Sequence, residues 1–210
     1  MAVFHFQGES MSNTVNNGSL NSWDLGRVLR SVASGAVLMQ AAYFLVVAFD
    51  NITNPQSNWV FVQGVLSLDG VFENSGFEWR AINANWFHVL AYIGLIAMES
   101  LTGILLTWAG VVGLKNATNR TGWGNAQRLT MLGVTTGLLV FFFGFITVGG
   151  NWFVMYLNSK WNGLDPAFQN TTTTFLTALL VLGVLIFDRF DAFSDRLHAA
   201  SERLHLNDDK

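Results

Sequence analysis

Glu99 is the residue whose chemistry asks most of its surroundings. It stands with His88 in an apolar stretch, Asn85 to Lys115, built otherwise of hydrophobic and small residues. An ionised carboxylate near the centre of a bilayer costs about 2.5 kcal/mol or more, so such a group is read as functional and its partner is sought. Its least costly state is protonated, with the acid hydrogen given to a facing helix. Thr135, Thr136, Thr147, Ser34, Gln40 and Tyr43 are the expected acceptors. On that reading Glu99 is structural, tied by an interhelical bond averaging about 0.6 kcal/mol. The sharper reading makes it a proton relay, or the wall of a small quinone or lipid site, although the spans offer no further ionisable groups at stepping distance. A third reading pairs it with a basic residue of another chain.

His88 lies eleven positions earlier in the sequence. That spacing returns it to nearly the same helix face but about 16 Å away along the axis, so the two cannot touch. Beside Trp86, near the outer end of its span, His88 reads as a satisfied interfacial histidine. A haem clamp would want a second histidine at matching depth, whereas His5, His198 and His205 fall in the cytoplasmic ends. A zinc site needs three or four convergent ligands. No catalytic, metal or cofactor-binding residues are therefore assigned, and the chain reads as a non-enzyme.

Composition decides what positions these residues. Of 210 residues, 51% are hydrophobic and only 12% charged, about half the charge usual in soluble domains. The absence of cysteine excludes disulfides, thiolate zinc sites, iron–sulfur clusters and covalent haem attachment. No phosphate-cradling glycine loop occurs, and a net charge of −3 gives no reason to expect nucleic acid.

A crossing helix needs about 20 mostly apolar residues. Leu29 to Phe49, Trp86 to Leu114, Leu129 to Gly149 and Thr172 to Phe187 qualify, the last being short unless its threonines enter the membrane. The fold expected is all-α, a four-transmembrane-helix bundle. With both termini cytoplasmic, Arg27, Arg30, Lys115, Arg120, Arg128, Arg189, Arg196, Arg203 and Lys210 lie inside and only Arg80 and Lys160 outside, a positive-inside pattern. The location expected is the bacterial plasma membrane.

Three regions flank or join the spans. Residues 1–26, rich in Asn, Ser and Gly, read as a flexible cytoplasmic tail ahead of a membrane domain over 27–187. Between the first two spans, "NWVFVQGVLSLDGVF" spaces Val62, Val65, Leu66 and Phe72 roughly as a short helix on the outer surface would, with a strand pair as the alternative. Residues 188–210 place Phe190, Phe193, Leu197 and Leu204 at steps of three and four, an amphipathic cytoplasmic helix that either covers the end of the bundle or docks on a partner. Gly133 and Gly137 form a GxxxG, which lets helix backbones approach closely. Trp79, Arg80, Trp152 and Trp161 stand in the outer loops, where amphipathic rings favour the headgroup level.

"VLSLD" (65–69), "WRAI" (79–82), then His88, Tyr92 and Glu99, and "GFITVGGNWFVMYLNSKWNG" (144–163) together form a pattern. It resembles the bacterial family of predicted small integral membrane proteins of unknown function, whose members typically have four spans with GGxWF and WNG elements after the third. The chain departs from that pattern at Asn151, where glutamate is commoner, and at Gln63, where histidine is expected. The resemblance implies a fold and a location but no reaction. By analogy it suggests a non-catalytic accessory subunit of a larger membrane complex, first an actinobacterial cytochrome bc–cytochrome oxidase supercomplex. The alternatives are an accessory subunit of a lipid transport complex and a quinone- or proton-handling redox protein using Glu99. Larger membrane subunits and the bilayer are the expected partners, with bound lipids but no cofactor of its own.

Overall fold

The computed structural model describes residues 22–208, so most of the expected N-terminal tail lies outside it. Four helices are long and apolar enough to cross a membrane, and no strand occurs among the described residues. Helix α1 is Ser22–Thr53. It runs a full turn past Phe49 and stops where Asn54 precedes Pro55, because a residue before proline is pushed out of helical conformation. Pro55 then opens α2, Pro55–Leu66, at the position where a missing N–H costs nothing. A short helix does occupy the first loop, but it ends at Leu66, so Phe72 of the expected stripe falls outside it, and no strand pair forms there.

Helix α3 is Asn85–Lys115. Helix α4, Arg120–Leu138, is capped by Asn119, whose side chain accepts from Thr121 N (3.0 Å) and Gly122 N (3.2 Å). It continues without a break as a π-helix, Leu139–Trp152. Two side chains match that wider spacing by bonding carbonyls five residues back: Thr147 Oγ1 donates to Phe142 O (3.1 Å) and Asn151 Nδ2 to Ile146 O (3.0 Å).

Helix α5, Leu164–Asp208, is longer than its apolar core suggests. Its threonines do enter the helix. Thr172, Thr174 and Thr177 each return their hydroxyl to the carbonyl four residues earlier, which satisfies the polar group within the span. At 1.5 Å per residue the 45 residues extend about 67 Å, more than twice the hydrocarbon thickness. The segment expected as a separate C-terminal helix is therefore a direct continuation of the fourth span.

Helix α3 packs between α1 and α4, and α5 closes the bundle against α1, α4 and the π-helix. Close contact relies on glycine. A Cβ on Gly133 would lie 2.6 Å from Leu106 Cδ2, and one on Gly137 would lie 2.8 Å from Phe44 Cζ, so the GxxxG sits where α4 abuts α3 and α1. Phe44, Leu106 and Trp123 fill the core behind it.

The two ends of the bundle are fastened differently. At the end that holds the start of α1 and the α3–α4 connection, here the terminal face, Arg30 is buried and grips Asp188 with two nitrogens, Nε to Oδ2 (3.1 Å) and Nη2 to Oδ1 (2.9 Å). Its Nη1 donates to Ala117 O (2.7 Å). Arg120 pairs with Asp191 and Asp195 on the next turns of α5. Asp188, Asp191 and Asp195, at i, i+3 and i+7, thus form one acidic stripe turned toward the bundle. Phe190, Phe193 and Leu197 repeat the same spacing two residues later, about 200° around the helix, and all are exposed. The apolar stripe therefore points away from the bundle end.

At the opposite, loop face, the motif elements meet in pairs. Trp161 of WNG donates its indole N–H to Asp69 of VLSLD (3.0 Å), and Lys160 Nζ joins the same oxygen (3.1 Å). Arg80 of WRAI donates to the carbonyls of Asn151 (3.3 Å) and Trp152 (3.1 Å) in GGNWF, while Trp79 meets Trp152 edge to face with ring centroids 5.7 Å apart. Hydrogen bonds from Ile82 N to Leu66 O (2.8 Å) and Ser159 N to Gly70 O (3.2 Å) complete the stitching of the two loops on this face.

Candidate functional site

Glu99 is almost fully buried on α3, facing the last turn of α1. Asn51 Nδ2 donates to Glu99 Oε2 at 2.6 Å. The same asparagine accepts from Asn58 of α2 through its amide oxygen and from Tyr92 of α3 through its backbone carbonyl (2.7 Å). Asn51 is thus the hub of a polar cluster joining three helices inside the apolar bundle.

None of the acceptors expected from sequence serves Glu99. Thr136 accepts from Thr102 Oγ1 (2.9 Å), Ser34 accepts the Trp123 indole N–H (3.1 Å) and Gln40 donates to Thr174 (3.4 Å). Thr135 and Thr147 donate to carbonyls of their own helix. Tyr43 lines the same cavity as Glu99 without a hydrogen bond to it. Hydropathy alone ends the first span at Phe49 and leaves Asn51 in a loop, so Asn51 is not among the partners expected from sequence. The Asn-Pro dipeptide at 54–55 was the available signal: a helix read through to that natural stop brings Asn51 onto α1.

Beside the cluster lies a partly open cavity of about 210 Å³ lined by all four spans and α2. Glu99, Asn51, Asn58 and Asn170 supply its polar wall, and Phe61, Phe141 and Phe145 much of the rest. No lysine, arginine or histidine lines it. Glu99 Oε1 has no hydrogen-bond partner among the described residues. Phe61, Val62, Leu95 and Phe145 also wall a second, apolar slot of about 300 Å³ between α2, α3 and the π-helix. That slot reaches the flank of the bundle at Gly94 and Leu139, both exposed. A hydrogen-bonding chamber and an apolar slot thus share one wall, a shape that suits an amphiphile.

His88 is buried and its Nε2 lies 2.6 Å from Ile82 O. A carbonyl only accepts, so Nε2 carries the proton and His88 ties the start of α3 to the WRAI element. It takes no part in the Glu99 cluster. Among the described residues, no three histidine or carboxylate side chains converge as metal ligands would.

The loop-face residues expected to make contacts divide into two kinds. Arg80 lies within 5.1 Å of the ring centroids of Phe77, Trp79 and Trp152 and is consumed within the chain. Trp161 is half-buried against Asp69, and that indole N–H holds the Asp69 carboxyl below the ordinary carboxylate range, with Lys160 adding to the effect. Trp79 and Trp152 remain exposed, with relative areas of 68% and 49%. Leu204 lies beyond the residues whose side chains are described.

Four apolar crossings joined by two stitched loops on one face define an integral membrane protein. Residues 29–184 match the family described as predicted small integral membrane protein (DUF2165), and the chain belongs to that family. No curated protein and no solved structure matches it.

Proposed function

We propose that this protein is a non-catalytic subunit of a larger membrane complex, held there through the part of α5 that leaves the bundle. The observation that carries this reading is the outward ridge of Phe190, Phe193 and Leu197, 71%, 60% and 54% exposed, on a helix locked in rotation by Asp188, Asp191 and Asp195 behind it. An apolar stripe presented on a fixed helix is the form used by anchors that lie in a partner's groove. The charge distribution supports placing this ridge in the cytoplasm of a bacterium, at the plasma membrane. A respiratory cytochrome assembly is the first partner to test. Purification from native membranes in mild detergent should bring much larger subunits with the wild-type chain, and F190S/F193S/L197S should release it as a folded monomer. Migration of the wild type alone under several gentle conditions would overturn the proposal.

A second reading rests on Glu99 Oε1 and the two adjoining cavities. A small amphiphile such as a quinone could place its polar head against Glu99 and Asn51, with its tail in the apolar slot. On this reading Glu99→Gln lowers quinone retention or respiratory rate while assembly stays intact. Unchanged values in that variant would remove the reading.

A further inference from the structure

Helices α4 and α5 part near the terminal face and leave a groove of about 850 Å³. Its composition changes along its length. Thr121, Asn125, Gln127, Arg128 and Arg189 occupy one end, and Met131, Leu132, Val181, Leu182 and Leu185 the other, together with Thr135, whose hydroxyl is already given to Met131 O. The apolar end lies deeper in the span: Met131 and Leu132 follow Arg128 by one turn of α4, while Leu185 and Leu182 precede Arg189 by one and two turns of α5. That gradient spans about 10 Å along the bundle axis.

The two arginines differ from their neighbours. Arg30 and Arg120 are paired with aspartates of α5, whereas Arg128 and Arg189 have no hydrogen bond or ion pair among the described residues. No aspartate or glutamate lines the groove, and the nearest on α5, Asp188 and Asp191, are committed to Arg30 and Arg120. Two free guanidinium groups and an apolar trough below them are complementary to one kind of molecule found at this depth, a lipid with an anionic phosphate head.

We propose that the α4–α5 groove binds an anionic phospholipid. Arg128 and Arg189 hold the phosphate oxygens, and one acyl chain lies along Leu132, Leu182 and Leu185. Arginine suits this role because its planar fork meets phosphate through paired N–H donors. The site is on the opposite half of the bundle from Glu99, so it is independent of what occupies the central cavity.

The test uses the full-length protein in nanodiscs and native mass spectrometry after transfer to detergent. The wild type should retain phosphatidylglycerol about tenfold better than phosphatidylcholine, and R128Q/R189Q should bring the two to parity. R196Q, which removes an arginine of α5 outside the groove, should keep the preference. Should the double variant misfold, L182W with both arginines present blocks the trough and should also abolish retention. Equal retention of the two lipids by the wild type, or an equal loss in R196Q, would overturn the proposal. Displacement of phosphatidylglycerol by millimolar inorganic phosphate would overturn the role of the acyl trough.

Discussion

Arg30 and Asp188, separated by 158 positions, form a two-pronged ion pair in the bundle interior, with side chains only 1% and 10% exposed. The pair joins the beginning of the first span to the end of the last. Removing one member strands the other without water. Asp188→Leu should therefore cost about 3–5 kcal/mol, seen as lost thermal stability in detergent. The double change R30M/D188L should recover much of that loss, since an apolar pair of similar volume often replaces a buried ion pair at little cost. A double variant no better than the single one would show that the Arg30 bond to Ala117, not the ion pair, holds this end together.

Asn51 carries the corresponding weight at Glu99. Asn51→Leu removes the donor to Glu99 and the acceptor for Asn58, and should destabilise by about 1–3 kcal/mol. Glu99→Gln keeps an oxygen for Asn51 to bond and should stay within about 1 kcal/mol of wild type. Chemical denaturation of both variants under the same detergent conditions gives the comparison. A stable Asn51→Leu would mean that the polar cluster contributes little to the fold.

The Asp69–Trp161 clasp predicts a pH response with a definite sign. The folded carboxyl titrates below its ordinary value, chiefly because the Trp161 indole N–H donates to the charged form. Its contribution is therefore present above the unfolded pKa of about 3.9 and is lost as pH falls through the lower folded value. The carboxylate is largely exposed, so the effect is small. Melting curves of wild type and Asp69→Asn should converge as the medium is made more acidic than about pH 3.9, and differ at neutral pH. Parallel curves throughout would remove Asp69 from the loop clasp.

Gly64 tests the same clasp sterically. A Cβ there would run into the Trp161 indole, a planar ring with no flexible end to swing aside. Gly64→Ala should displace Trp161, cost about 1–3 kcal/mol and leave the spans intact by circular dichroism. Protease sensitivity between residues 158 and 163 provides the readout.

What was legible in the sequence follows physical range. The spans could be read because twenty apolar residues are a local signal, and α2 because its periodicity is local too. The motif elements were visible as strings, but their pairing, Asp69 with Trp161 and Arg80 with Trp152, joins residues 92 and 72 positions apart. Pattern along the chain does not encode that. The Glu99 partner was missed by one helical turn, since a hydropathy threshold ends a span where polarity begins rather than where the backbone stops. Nothing along the chain tells which way the α5 carboxylates face; Asp188, Asp191 and Asp195 turn toward the bundle because the arginines they answer lie on α1 and α4.

Helix α5 carries one further implication. Near its start, Ala167 and Asn170 wall the Glu99 chamber, and far along it stand Phe190 and Phe193. Its sole proline, Pro166, falls in the opening turn, so no joint interrupts the rod between those stations. Packing against α1, α4 and the π-helix, with the ion pairs of Asp188, Asp191 and Asp195, pins the rod along its way, so the two stations keep one fixed bearing. A partner that seizes the aromatic end thereby holds a strut whose other end walls the chamber.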